Sequence, residues 1–183
     1  MSSNESANGC VSILAPLTGR AVPLEQVPDP VFSQKIIGDG IAVIPTEGKI
    51  VSPVSGEVVS VADTLHAYGF RTEDGLELLI HVGLETVALK GECFTAHVKT
   101  GGHVKAGDLI AGGDLKALGE KNVNPITPVL VCGGMDGRSL KLCEGACEAG
   151  KDPVLIVTQE QAADSPEEKK SGEEQGEKPK TAE

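Results

Sequence analysis

Apolar residues along this chain come in short runs separated by glycine, proline and acidic turns. The runs occupy residues 11–14, 41–44, 57–61, 76–82, 109–111, 128–131 and 154–157. Runs this short, bounded by turn formers, read as β-strands. Helical periodicity is weak. Residues 29–36 allow one or two turns after Pro28, and Asp114 is placed to cap a short helix that Asn124-Pro125 ends. The pattern predicts an all-β fold, an antiparallel β-sandwich or barrel with one or two very short helices. Residues 13–22 also echo residues 50–59. Each copy carries an apolar pair, a small residue, proline (Pro16, Pro53), a hydroxyl residue, glycine (Gly19, Gly56) and a second apolar pair. Proline presets φ and glycine accepts positive φ, so each copy reads as strand, turn, strand.

The pattern fades at both ends. Residues 160–183 hold eight acidic and four basic side chains and no leucine, aromatic or β-branched aliphatic residue. Such a segment buries too little apolar area to offset its ordering entropy, so a disordered acidic tail is expected there. A flexible N-terminus is expected over 1–10, leaving residues 11–159 as one domain of ordinary size.

Two histidines stand out against this background. The arms 65–72 and 75–83 read as a hairpin, and His66 and His81 lie near its open end. A two-residue loop at Glu73-Asp74 sets His66 directly opposite His81, and one at Asp74-Gly75 makes the pair diagonal. Both registers put the imidazoles on one face; only a three-residue loop separates them. Thr64, two residues before His66, is expected to share its face, where its hydroxyl can orient a ring or bind phosphate. Gly83 beside His81 is expected to leave room for an approaching molecule. Imidazole titrates near neutral pH and is both a nucleophile and a metal ligand, so two on one face can share a phosphoryl group or a zinc ion. His97 and His103 flank a Lys-Thr-Gly-Gly turn and read as exposed and without a role.

Charge narrows the partners. The formal net charge is −11, with no basic patch to neutralise phosphates, so nucleic acid is not an expected partner. Acidic surface favours partners with basic faces. No apolar run reaches membrane-spanning length, and the N-terminus lacks a basic stretch followed by an apolar one, so direct membrane insertion is not expected and a cytoplasmic location is. The five cysteines, Cys10, Cys93, Cys132, Cys143 and Cys147, include no CxxC pair and read as reduced thiols.

The segment Gly75-Leu76-Glu77-Leu78-Leu79-Ile80-His81-Val82-Gly83-Leu84-Glu85-Thr86-Val87 resembles the phosphorylation-site signature of glucose-type IIA components of the bacterial phosphoenolpyruvate-dependent sugar phosphotransferase system. Ala15-Pro16-Leu17-Thr18-Gly19, Val31-Phe32, Gly38-Asp39-Gly40-Ile41-Ala42, Thr64-Leu65-His66-Ala67, Gly107-Asp108 and Asn124-Pro125-Ile126-Thr127-Pro128-Val129 extend the resemblance across residues 11–159. It implies a cytoplasmic β-sandwich that carries a phosphoryl group on one histidine. His81 then corresponds to the phosphorylated residue, His66 to the second active-site histidine and Thr64 to its supporting hydroxyl. The implied donor is the phosphocarrier protein HPr, and the implied acceptor is the cysteine of the IIB domain of a membrane sugar permease. An apolar docking face with an acidic rim is implied too, formed by Phe32, Ile37, Leu79 and Val87 with Asp29 and Glu85. Family members of this kind often also bind regulatory targets according to their phosphorylation state. No cofactor is expected, apart from an adventitious or regulatory zinc ion on His66 and His81. One rival from another class is a zinc hydrolase on a related fold, since His81-x-x-x-Glu85 faintly resembles a ligand pair. It lacks the His-x-His element of such enzymes and the third protein ligand that a catalytic zinc requires.

Overall fold

The computed structural model describes residues 10–159. The elements, in chain order, are β1 (Val11–Leu14), β2 (Gly19–Pro23), α1 (Pro30–Ser33), β3 (Asp39–Pro45), β4 (Lys49–Val51), β5 (Gly56–Val61), β6 (Ala67–Arg71), β7 (Glu77–His81), β8 (Phe94–Ala96), β9 (His103–Val104), β10 (Leu109–Gly113), α2 (Leu115–Glu120), β11 (Thr127–Gly133), β12 (Arg138–Leu142), β13 (Gly145–Cys147) and β14 (Pro153–Gln159). Every pairing is antiparallel. The expected sandwich of short strands with two very short helices is what forms. Asp29 and Asp114 cap the helices, accepting from the N–H groups of Val31 at 2.9 Å and Ala117 at 3.0 Å. The expected mobile ends, apart from Cys10, lie outside the described residues.

One sheet has eight strands in the order β13-β2-β3-β11-β7-β6-β5-β9, and two have three, β1-β14-β12 and β4-β10-β8. This order reads the same from both ends: β13, β2, β3 and β11 on one side answer β9, β5, β6 and β7 on the other, and the two small sheets answer each other. The sequence echo is the local trace of that pseudo-twofold arrangement. Its two copies interlock through reciprocal backbone bonds, Leu14 N–H to Pro53 O and Val51 N–H to Pro16 O, both 2.9 Å. A second reciprocal set follows. Ala15 N–H donates to Asp152 O and Ser52 N–H to Asp108 O, while Gly150 and Gly107 return bonds to Ala15 O and Ser52 O.

Alternation along the large sheet separates two apolar layers. Ile41, Val43, Leu78, Ile80, Val129 and Val131 face the main core, together with Ile13, Ile50, Ile110, Val154 and Leu155 from the small sheets. The intervening residues Val22, Ala42 and Leu130 point to the other face, where Leu24, Val27, Phe32, Leu84 and Ile126 cover them in a smaller cluster. His81 has the parity of Leu79, which packs against that smaller cluster, so the signature histidine is directed to the outer face.

Tyr68 is fully buried in the main core, and its hydroxyl finds no hydrogen-bond partner among the described residues. Burial pushes that hydroxyl up to about 12. An unpartnered buried hydroxyl loses its hydration without return. Tyr68→Phe should therefore leave stability unchanged or raise it by up to about 1 kcal/mol, read as the midpoint of urea unfolding. A clear loss would show that the hydroxyl is paired.

Candidate functional site

The β6–β7 hairpin departs from the expected register. Ala67, not His66, lies opposite His81, and the ladder continues through Tyr68↔Ile80 to Arg71↔Glu77. Thr72 N–H bonds Leu76 O at 2.9 Å, so the loop is the three-residue Glu73-Asp74-Gly75. Gly75 closes it with φ of 94°. A three-residue loop with its last residue left-handed is a favoured hairpin connection, and the buried side chains of Thr72 and Leu76 anchor it. Thr72 Oγ1 also bonds Asp74 and accepts from Leu76 N–H.

In a continuous ladder that register would send the two imidazoles to opposite faces. They meet because His66 lies outside the ladder. Leu65 adopts φ of 62°, which ends the regular strand before Ala67, and only the carbonyl of His66 stays in register, accepting from Val82 N–H at 2.6 Å. The His66 ring then stands edge-on to that of His81, with centroids 4.8 Å apart and planes at 74°. Side-chain hydrogen bonds set the free nitrogens. His81 Nδ1 lies 2.7 Å from the Gly83 carbonyl, which can only accept, so Nδ1 carries the proton and Nε2 keeps its lone pair. His66 Nδ1 is held by the Thr64 hydroxyl; where that hydroxyl donates, the neutral ring carries its proton on Nε2.

Gly83 works differently from the sequence expectation. It is buried rather than an opening on the surface, and it takes φ of 77°. A Cβ there would lie 2.6 Å from the Thr86 methyl and 3.1 Å from Asn124 O. Its role is to turn its carbonyl back onto His81. Thr86 pins the same turn by donating to Val82 O at 2.6 Å, and Leu84 N–H bonds Asn124 O at 2.9 Å.

Both imidazoles are held below the ordinary imidazole value. Burial is the main cause for His66, with the adjacent His81 second. For His81 burial again dominates, opposed by the Gly83 carbonyl and the Asp29 carboxylate. At neutral pH the pair is therefore uncharged, which leaves the nucleophile its lone pair.

The remaining predicted residues separate into two groups. Ile37 and Glu85 are exposed, Glu85 with φ of 59°. Asp29 is half-buried at the cap of α1, and Leu79 is half-buried against the smaller cluster. Phe32, expected on the open face, is 4% exposed and lies under the His81 ring, centroids 5.0 Å apart. Val87 sits in the single 3-10 turn Thr86–Leu89, and its side chain lies outside the described residues. Two exposed apolar residues were missed, Val31 and Ile36. Val31 lies in the one-turn helix α1 and Ile36 just after it; a helix of one turn buries only one side chain, here Phe32, and turns its neighbours outward, and that short cap-Pro-apolar pattern was the available signal.

The chain that carries this pair of imidazoles has counterparts among known proteins. Residues 11–136 match the family described as phosphoenolpyruvate-dependent sugar phosphotransferase system, EIIA 1. The chain belongs to this family. It is 47% identical over 148 residues to the PTS system glucose-specific EIIA component of Oceanobacillus iheyensis, covering 80% of this chain and 90% of that one. Against the Staphylococcus aureus protein of the same description the identity is 40% over 149 residues, covering 81% and 90%. The solved structure of glucose permease IIA from Mycoplasma capricolum superposes with a TM-score of 0.77 at 34% identity, over 83% of this chain and 98% of that one. The chain is thus a IIA component, a phosphocarrier of phosphotransferase-dependent sugar uptake. The zinc-hydrolase reading finds no support. Among the described residues no group of three or more His, Cys, Asp or Glu could hold a metal ion, and two imidazoles fall short of the three protein ligands that a catalytic zinc needs. No helix among the described residues is long and apolar enough to cross a membrane.

In an NMR pH titration the rings of His66 and His81 should both titrate below about 6.5, the ordinary imidazole value. Unfolding frees the rings to take up protons near that value. Stability should therefore fall as pH drops from about 6.5 toward the lower native midpoints, and recover as pH rises. A His81 midpoint above 6.5 would contradict the burial argument.

Proposed function

We propose that His81 accepts a phosphoryl group from phospho-HPr and passes it to the cysteine of the IIB domain of a sugar permease, in the cytoplasm. As in the relatives named for glucose, the permease served would be of the glucose type. In the first step the Nε2 lone pair of His81 forms a bond to phosphorus while the bond between phosphorus and the HPr donor breaks. In the second the thiolate sulfur of the permease attacks phosphorus, and the electron pair of the P–N bond returns to His81 Nε2. The protein is in this sense a transferase that carries its own intermediate. The observation that carries this reading is the bond from His81 Nδ1–H to the Gly83 carbonyl at 2.7 Å, which keeps the proton on one nitrogen and leaves the other as the nucleophile.

His66 serves the phosphoryl group without carrying it. With Thr64 holding its Nδ1, the opposite nitrogen points its N–H at charge developing on the phosphoryl oxygens. Phosphoryl transfer consists mostly of positioning and charge stabilisation, which a fixed donor supplies. A carrier must also give up its load, so a single neutral donor suits it better than a cationic clamp that would trap the intermediate. The exposed Val31, Ile36 and Ile37, with Asp29 near them in the chain and the exposed Glu85 after β7, offer HPr and the permease domain an apolar contact with acidic residues. Apolar contact excludes water while phosphorus is in transit. Regulatory proteins that read the phosphorylation state of His81 would use the same face. No cofactor takes part in either step.

His81→Ala should fold and accept no phosphate from phospho-HPr; continued labelling of the variant would reject the acceptor assignment. His66→Gln keeps a hydrogen-bond donor but loses the ring. It should still accept phosphate on His81 and lose label to added IIB domain on the order of a hundredfold more slowly, because its amide N–H is not held by Thr64 in the place of the ring. Equal rates of label loss in wild type and variant would make His66 a bystander.

A further inference from the structure

The neighbours of Phe32 in sequence are open to solvent: Val31 is 40% exposed, Ile36 66% and Ile37 41%. Phe32 itself is 4% exposed, so a protein laid on this face meets those three side chains and not the phenyl ring. The ring is turned inward onto the imidazole of His81, at 5.0 Å between centroids and 57° between planes. We propose that Phe32 is a positioning residue, whose ring fixes the plane of the His81 imidazole and shields it from water, and that it contributes no docking contact. The proposal rests on the reading of His81 as the phosphoryl acceptor.

Transfer needs the Nε2 lone pair aimed along the line of the breaking bond, so tilt of the ring matters as much as its place. The hydrogen bond from Nδ1 to Gly83 O fixes one edge of the imidazole and leaves it free to pivot about that edge. His66 approaches edge-on at 4.8 Å. Phe32 packs at a tilt from another element and closes off the pivot. The phenyl ring is itself immobilised. The side chain of Asp29 accepts from Val31 N–H at 2.9 Å, and its carbonyl accepts from Phe32 N–H at 3.1 Å and Ser33 N–H at 2.9 Å, which closes the turn of α1. The side chain is buried in the smaller cluster with Val22, Leu24, Val27, Leu84 and Leu130. His81 is itself buried enough to lower its affinity for protons, and the Phe32 ring packs against it.

Docking and positioning predict opposite kinetics. Phe32→Leu in the full chain is to be titrated with phospho-HPr by rapid quench, beside Ile36→Ala, and both are to be followed by NMR titration of the unphosphorylated protein. For Phe32→Leu the rate at saturating phospho-HPr should fall on the order of tenfold while the half-saturating concentration holds, because aim is lost and contact is not. The His81 midpoint should rise toward the ordinary imidazole value. Ile36→Ala should do the converse, raising the half-saturating concentration and leaving the His81 midpoint in place. A Phe32→Leu protein with a wild-type saturating rate and weakened half-saturation would overturn the proposal, as would an unmoved His81 midpoint. If Phe32→Leu does not fold, Phe32→Met fills the site without a ring and takes the same measurements. Failure of the underlying reading is separately visible: wild-type phosphate mapped to another residue rejects His81 as acceptor, whereas the titration still reports the ring contact.

Discussion

The ladder between β7 and β11 joins the two halves of this chain at the centre of the large sheet. Its pairs, Leu78↔Val131, Leu79↔Leu130 and Ile80↔Val129, carry side chains that are almost all buried. Each such side chain contributes about 1.5–3 kcal/mol on burial, so the register of this ladder is strongly determined. Alternation then leaves no choice about His81: with Leu78 and Ile80 committed to the main core, the histidine that ends β7 must face the other way. The smaller cluster forms on that outer face around Leu130, and α1 lies over it with Phe32 inserted. The site is thus a consequence of a central ladder that has no chemical role of its own.

The pseudo-twofold arrangement raises a second point. The doubled unit supplies a closed framework, yet the reacting pair is formed once. The equivalent strands β3 and β11 contain no histidine. What distinguishes the β6–β7 half is local and conformational: a left-handed Leu65 that releases His66 from the ladder, and a left-handed Gly83 that bends a carbonyl back to His81. Leu65 has a β-carbon and adopts this conformation at a cost of roughly 1–2 kcal/mol. Its side chain packs against the main core, which offsets that strain. Function here is written as two interruptions of an otherwise regular framework.

Electrostatics completes the picture. Burial holds both imidazoles neutral, and Asp29 moderates the effect on His81. The same carboxylate caps the turn that places Phe32. One residue therefore couples the electrostatic environment of the nucleophile to its mechanical support, across a distance of three positions in sequence.

Read by itself, the sequence determined the strand-rich fold, the two short helices with the cap of the second, and the identity of the two histidines that meet. Strands β1, β3, β5, β7, β10, β11 and β14 contain its apolar runs, since alternation and turn residues are local signals. Shorter strands such as β9 and β13, of two and three residues, exist only because a neighbour pairs with them, and no local pattern announces them. The hairpin shows the boundary most clearly. Its existence followed from two apolar arms about a turn, but its loop length and hence its parity did not, because the burial of Thr72 and Leu76 selected a three-residue connection. The meeting of His66 with His81 survived the wrong parity through the break at Leu65, a backbone conformation set by tertiary packing. Likewise Gly83 and Phe32 were visible as residues, but whether each faces solvent or interior depends on Asn124 and the smaller cluster, which are brought to them from other parts of the chain. Composition and periodicity act over a few residues, and the geometry of this site is decided by contacts between residues far apart in sequence.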